Sequence, residues 1–309
     1  MKQNFDNAFT RYSRDICRAY EKLGILEKEQ VIKTLNNYRF QKELTTLDLF
    51  KLMLEGIFQR LGSIGCGDSL LESPFLKTFF LNNKEVLFPI INDQGKDWYE
   101  FSPPYNCDFY IEAHLGLHHN ASVIYDIGSH QGLWSAYYAT LPNELGPTSV
   151  YAFEPSIINY ECSSLLFLLN KIYNVKNQCA AVGAETKICE FKDANVLVDY
   201  IKHNVAFVSL NDLLLVPPDF IKIDIEGYEH ELIMSDKKLL GKVQCIHLEL
   251  HIPLLNSKQL NYEDITATIP WKKSDVYNYS GGNLSPISLS TKLDGFCSLF
   301  IKRQKQYQD

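Results

Sequence analysis

The chain has 309 residues, 46% hydrophobic and 22% charged, with a formal net charge of −7. That length suits one large domain, or one domain with an appendage. The acidic balance and the lack of a long basic run argue against a nucleic-acid partner. The strongest apolar run, Leu165 to Leu169, is far short of a membrane span. Eight scattered cysteines form no CxxC pair, so neither a zinc ribbon nor a disulfide framework is expected. The opening MKQNFDNAFTRYSRD has no apolar h-region, and reduced thiols in a cytoplasmic setting are the expectation.

Apolar spacing predicts helix through roughly the first 80 residues. Phe5, Phe9, Tyr12, Ile16, Ala19 and Leu23 recur at helical intervals up to Gly24, and Val31, Leu35 and Tyr38 suggest a second helix. Leu47, Phe50, Leu54, Ile57, Phe58 and Leu61 make a third, with Thr46 as N-cap and Gly62 as stop. A glycine loop follows at 63–68, and residues 84–101 read as two strands around an Asn92–Gly95 turn.

From Val123 strand and helix signals alternate. Strands are predicted at Val123–Asp126, Ser149–Glu154, Asn177–Val182, Phe220–Glu226 and Cys245–His251, with helices near 132–141, 157–172 and 228–240. Such alternation implies a parallel sheet covered on both faces. Ser274–Tyr279 and Phe296–Lys302 read as a terminal hairpin closing one edge. The expected division is a helical region over 1–82 and an α/β domain over 83–309.

The first strand runs into Asp126-Ile-Gly128-Ser-His-Gln-Gly132. In an open α/β sheet, ligands bind beyond the carboxyl ends of the strands. Gly128 permits the sharp turn. Gly132 permits either close approach of backbone to a ligand or close packing of the next helix. The spacing is not GxGxxG, and Asp126 would repel a pyrophosphate. A ligand with an ammonium and a sulfonium suits it, which points to S-adenosylmethionine. The next strand, VYAFEP, ends in Glu154, whose carboxylate can accept both hydroxyls of a ribose.

FIKIDIEGYEHELI (220–233) alternates isoleucines with Lys222, Asp224 and Glu226, and CIHLELH puts His247, Glu249 and His251 on one face. A polar face inside a parallel sheet is expensive unless paired or used. Asp224, Glu226, Glu249 and His251 are therefore expected to converge near the strand ends. A Lys222–Asp224 ion pair is the plain alternative to catalysis by Asp224. His247 reads as a hydrogen-bonded core histidine, and His118-His119 as a solvated turn.

VIYDIGSHQGLWS, VYAFEPS, CAAVG, VSLNDLL and IKIDIEGYEHELI, in that order and spacing, resemble the FkbM-type methyltransferase family over about residues 105–251. The chain departs from the family pattern at Ser129-His130, Cys179 and Asn211. The resemblance implies a Rossmann-like class I methyltransferase sheet and methyl transfer, most often to a hydroxyl oxygen. It places Asp126, Gly128, His130, Gly132, Glu154 and Ala181 at S-adenosylmethionine, Ala181 near the adenine. Asp224, with Glu226 and His251 beside it, is the candidate for acceptor binding or general base.

A divalent metal on Asp224, Glu226 and His251 is chemically sensible, but no spacing motif demands one and none is expected. The expected acceptor is a sugar hydroxyl of a glycan, a glycolipid or a glycosylated metabolite. A homodimer is one candidate assembly, with the N-terminal helices as lid or contact. N-methylation and a scaffold that has lost its cofactor are the alternatives. A nicotinamide-dependent oxidoreductase would need GxGxxG, which is absent.

Overall fold

The computed structural model describes residues 45–63, 70–100, 108–144, 146–192, 202–209, 217–235 and 237–304. The helices expected over Phe5–Leu23 and Val31–Tyr38, the loop after Ser63 and the Asn211 segment lie outside these residues. Among the described residues, no helix is long and apolar enough to cross a membrane.

The third expected helix is present as α1 (Thr46–Ser63). Its apolar stripe (Phe50, Met53, Leu54, Ile57 and Leu61) is buried against Ile158, Cys162, Leu165 and Leu169 of a helix described below. Helix was expected through residue 80, but Leu70–Leu81 forms strand β1, paired antiparallel with β2 (Lys84–Asn92). The reason is the turn: Asn82 and Asn83 both hold positive φ (49° and 63°), the geometry of a tight hairpin. The second strand expected before residue 101 is instead helix α2 (Asp93–Tyr99). Asn92 ends β2 and caps this helix, its side chain accepting the Gly95 N–H at 2.9 Å.

After α3 (Asp108–Leu115) come β3 (Val123–Ile127), α4 (Leu133–Ala139), β4 (Ser149–Phe153), α5 (Ile157–Leu169) and β5 (Val175–Gln178). The chain leaves the main sheet at Cys179. The single strand expected over 177–182 is therefore two, because β6 (Ala180–Gly183) joins a small sheet with β7 (Lys187–Lys192) and β8 (Lys202–Ser209). β9 (Phe220–Ile223), α6 (Glu229–Ser235), α7 (Leu239–Lys242) and β10 (Cys245–His251) follow. The chain closes with α8 (Ile252–Ser257), α9 (Tyr262–Thr266), β11 (Ser274–Ser280), β12 (Asn283–Pro286) and β13 (Phe296–Arg303).

The eight-stranded sheet has the order β12-β11-β13-β10-β9-β3-β4-β5. Its five strands from β10 to β5 are parallel, and β13, β11 and β12 extend it antiparallel. This is the expected parallel sheet with an antiparallel end. β4 lies on one side of β3 and β9 on the other, so the carboxyl end of β3 is the switch point where ligands gather. Register sets Asp126 beside Lys222, Lys222 beside His247 and His247 beside Phe300. A polar row thus crosses the middle of an otherwise apolar sheet.

Candidate active site

The β3–α4 loop is shaped by its glycines. Gly128 holds φ +84°, and a Cβ there would lie 1.6 Å from the Asp224 carbonyl oxygen. Only glycine lets the loop cross that close to the end of β9. Gly132 is also left-handed, but it faces α5. A Cβ there would meet Ser163 Cβ at 2.7 Å and the Phe167 ring at 2.9 Å. Of the two roles open to Gly132, the structure shows helix packing. The Gly128 and Ser129 N–H groups both donate to Phe153 O at 3.0 Å, tying the loop to the end of β4.

A cavity of about 770 Å³ lies over the carboxyl ends of the strands, within the roughly 300–1,000 Å³ usual for ligand pockets. Gly128, His130, Glu154 and Ala181 line one part of it, and Asp224, Glu226 and His251 another. Asp126 and Gly132 are not on its wall. Asp126 is fully buried behind the loop, where its Oδ2 accepts the Ser135 hydroxyl at 2.5 Å and its Oδ1 has no hydrogen-bond partner. Burial pushes this carboxyl up to about 6, against the pull of Lys222.

A buried acid raised in the folded state opposes folding increasingly as pH rises from its unfolded value through about 6. Asp126→Asn keeps an acceptor for Ser135 and removes that charge. It is expected to gain on the wild type by on the order of 2–3 kcal/mol at pH 7.5, and by little at pH 4. Melting curves at the two pH values check this, and a pH-independent difference contradicts it.

Glu154 is anchored rather than free. Its Oε2 accepts the His130 N–H and its Oε1 the Ser156 N–H, both at 2.8 Å. The carboxylate therefore ties the loop to the start of α5 while lining the cavity. Two aromatic residues of α2 also stand there. Tyr99 places its hydroxyl 2.6 Å from His130 Nδ1, and the Trp98 and His130 ring centroids are 6.0 Å apart. Both come from α2, the segment expected to be strand, so their approach to the loop was hidden.

Asp224, Glu226, Glu249 and His251 do converge. Lys222, fully buried, donates to Asp224 Oδ2 at 2.8 Å and lies 3.1 Å from Glu249 Oε1. The ion-pair reading of Lys222 is thus what the geometry shows. Its ammonium is 5.1 Å from the Trp134 ring centroid. Burial alone would lower the Lys222 ammonium, but Asp224 and Glu249 hold it well above its usual value. Burial likewise opposes the charged Asp224, yet Lys222 and His251 keep that carboxyl below its ordinary range. Asp224, Glu249 and His251 are close enough to share an ion, but Lys222 already supplies the positive charge between the two carboxylates.

His251 lies with Nε2 3.7 Å from Asp224 Oδ1 and 3.5 Å from Glu226 Oε2. Its Nδ1 is 2.6 Å from Oε1 of Glu229, which is fully buried and also accepts the Gly227 N–H at 3.0 Å. Glu229 was missed, although it stands inside the IEGYEHELI stretch. An acid just after a glycine turn, at the start of a helix, is the signal that marks it. Burial lowers the His251 imidazole, but Glu229 more than reverses this and takes it to about 9. Burial raises the Glu226 carboxyl, and Glu226 itself sits at φ +52°.

His247 is a core histidine, fully buried, with Nδ1 2.7 Å from Glu112 Oε1 and its ring stacked on Phe300. The solvated turn expected at His118-His119 is half right. His119 is exposed, but His118 is buried, 3.3 Å from the Tyr137 hydroxyl, and burial lowers it to about 4. The turn places His118 under α4 because Leu117 and Ala121 on either side enter the core.

An α/β sheet with an acid-ended second strand, a glycine loop at the switch point and a cavity spanning both defines the nucleotide-binding α/β enzymes. Residues 126–274, just under half of the chain, match the family model of the methyltransferase FkbM domain, and this match supports a methyltransferase. No curated protein matches the chain in sequence. Among solved structures, it is similar to an rRNA methylase from Streptococcus thermophilus at 11% identity, covering 65% of this chain and 99% of that one, with a TM-score of 0.41. It is similar to methyltransferase FkbM from Methylobacillus flagellatus KT at 16% identity, covering 59% and 44%, with a TM-score of 0.38. The N-terminal domain of EvdMO1 with SAH bound is 13% identical over 81% of this chain and 97% of that one, with a TM-score of 0.42.

Proposed function

We propose that the protein uses S-adenosylmethionine to methylate a hydroxyl oxygen of a sugar on a glycan, a glycolipid or a glycosylated metabolite. The observation that carries this reading is the charge of the cavity. Among the described residues, Glu154, Asp224, Glu226 and Glu249 line it, and no lysine or arginine does. With four carboxylates against the His251 imidazole the cavity is net negative, which disfavours a pyrophosphate cofactor and suits a sulfonium and an ammonium. Glu154 at the end of β4 is placed to accept the ribose hydroxyls, with Ala181 near the adenine and Gly128 and His130 along the loop. The cofactor supplies an already activated methyl group. The residues of the chain then have to align the acceptor, exclude water and hold a proton.

The acceptor side supports a sugar. Trp98, Tyr228 and Phe296 line the cavity and are also well exposed, at 53%, 42% and 62%. Exposed aromatic faces beside carboxylates suit a ring with apolar CH faces and hydroxyl edges. The acidic chain favours such an acceptor over a nucleic acid.

Calorimetric titration with S-adenosylhomocysteine tests the reading. The wild type is expected to bind in the micromolar range, and Glu154→Ala at least about 30-fold more weakly, roughly 2 kcal/mol. A wild type that does not bind overturns it.

A further inference from the structure

We infer that Glu229 and His251 form a dyad in which His251 Nε2 takes the acceptor proton, and that the positive charge of the methyl donor prepares His251 for this. The inference rests on the cofactor reading above. Glu229 is a positioning residue. It is fully buried, does not line the cavity, and touches only the far side of the imidazole.

The geometry sets the tautomer. Glu229 Oε1 lies 2.6 Å from Nδ1 and also accepts the Gly227 N–H, so a hydrogen on Nδ1 has its acceptor there. Nε2 is then the nitrogen that gains or loses the proton, and His251 lines the cavity. β9 and β10, which carry Asp224 and His251 at their ends, lie between β3–β4 and β13–β11. Glu154 marks the first side of the cavity and Phe296 with Tyr279 the second. His251 therefore stands where a donor on one side would meet an acceptor on the other.

The groups facing His251 are mostly acidic. Glu229 comes from α6, and Asp224 and Glu226 from the turn after β9. Two lysines stand one residue further away. Lys222 is engaged by Asp224 and Glu249, and Lys258 by the Gly227 carbonyl at 2.8 Å. Phe296 of β13 presents its ring at 5.5 Å. Such surroundings keep the imidazole protonated near neutral pH, with its titration raised to about 9. A protonated imidazole cannot accept a proton. A fixed positive charge entering the same cavity disfavours the imidazolium and sends the Nε2 proton to solvent. In the transfer, the acceptor oxygen forms the C–O bond as the C–S bond breaks and its electron pair returns to sulfur. The proton of that oxygen passes to Nε2. The base is thus free only when the methyl donor is present.

The test is an NMR titration of histidine-labelled protein, with His251 assigned by the signal lost in His251→Gln. The probes are S-adenosylhomocysteine, which is neutral at sulfur, and sinefungin, which carries an ammonium in place of the sulfonium. Without ligand, wild-type His251 is expected to keep hydrogen on Nδ1 and titrate near the raised value. Sinefungin is expected to lower the midpoint by at least about one pH unit more than S-adenosylhomocysteine does. Glu229→Gln is expected to lower the ligand-free midpoint by about 1–3 units, and Glu229→Asp to restore most of it.

Equal midpoints with the two ligands overturn the arming step. A ligand-free midpoint at or below the ordinary histidine value overturns the dyad, and the wild type alone decides this if the Glu229 variants do not fold. Calorimetry on the same wild-type sample separates the two readings. If neither ligand binds, the cofactor reading falls, while the ligand-free titration still decides the dyad.

Discussion

Lys222→Met is expected to destabilise the protein by about 3–5 kcal/mol at pH 7.5, the range for removing one partner of a buried ion pair. The melting temperature should fall by roughly 10 °C. The side chain is fully buried, and its ammonium is the positive charge shared by Asp224 Oδ2 at 2.8 Å and Glu249 Oε1 at 3.1 Å. Methionine fills most of the same volume beside Trp134, so the loss is one of charge rather than of packing.

The pH dependence separates these causes. In the wild type, the Asp224 carboxyl is held below its ordinary value, so its contribution is lost only below the unfolded carboxylate value and stays constant from pH 7.5 to pH 5. In the variant, Asp224 and Glu249 face each other without the ammonium between them, and taking up protons relieves them. The deficit should therefore shrink from pH 7.5 to pH 5. Melts of both proteins across that range check it, and a constant deficit would assign the loss to packing.

Gly128→Ala is expected to abolish detectable binding of S-adenosylhomocysteine and to destabilise the fold by roughly 2–5 kcal/mol, from the left-handed backbone and the forced displacement together. The added methyl would sit 1.6 Å from the Asp224 carbonyl oxygen and 2.7 Å from its carbon. Backbone must move on one side or the other, and either movement separates the loop from Asp224. Gly132→Ala is the control. Its methyl meets Ser163 and Phe167 of α5, so it should lower stability comparably while leaving measurable binding. Calorimetry and thermal melts on the two variants check the contrast, and equal binding losses would contradict it.

The parallel core was legible because it is written locally. β3, β4, β9 and β10 each follow an apolar run that ends in an acid or histidine, and the crossovers have the length a helix needs. α1 was legible from its apolar spacing: Phe50, Leu54, Ile57 and Leu61 of the predicted stripe are buried, while Leu47 is exposed and Met53 joins the buried face. The hairpin β1–β2 was not, because its only strong signal is the Asn82-Asn83 pair inside a run that also suits a helix. α2 was hidden for a related reason. Trp98 and Tyr99 favour strand by composition, and only the Asn92 cap turns the chain into helix.

What the sequence determined by itself was the order of strands and helices in the parallel core, the acid at the end of β4 and the glycine loop at the end of β3. It also determined that Asp224, Glu226 and His251 belong at strand ends. Each depends on neighbours within a few residues or on one crossover. Only the tertiary structure decided that Asp126 lies behind the loop, that Gly132 packs on α5, and that Glu154 anchors the His130 and Ser156 amides. It alone set Lys222 between two carboxylates and Glu229 against His251. These contacts join residues brought together by strand register and by the packing of α6 on the sheet. Register between distant strands is fixed by the whole buried core rather than by any local stretch of chain.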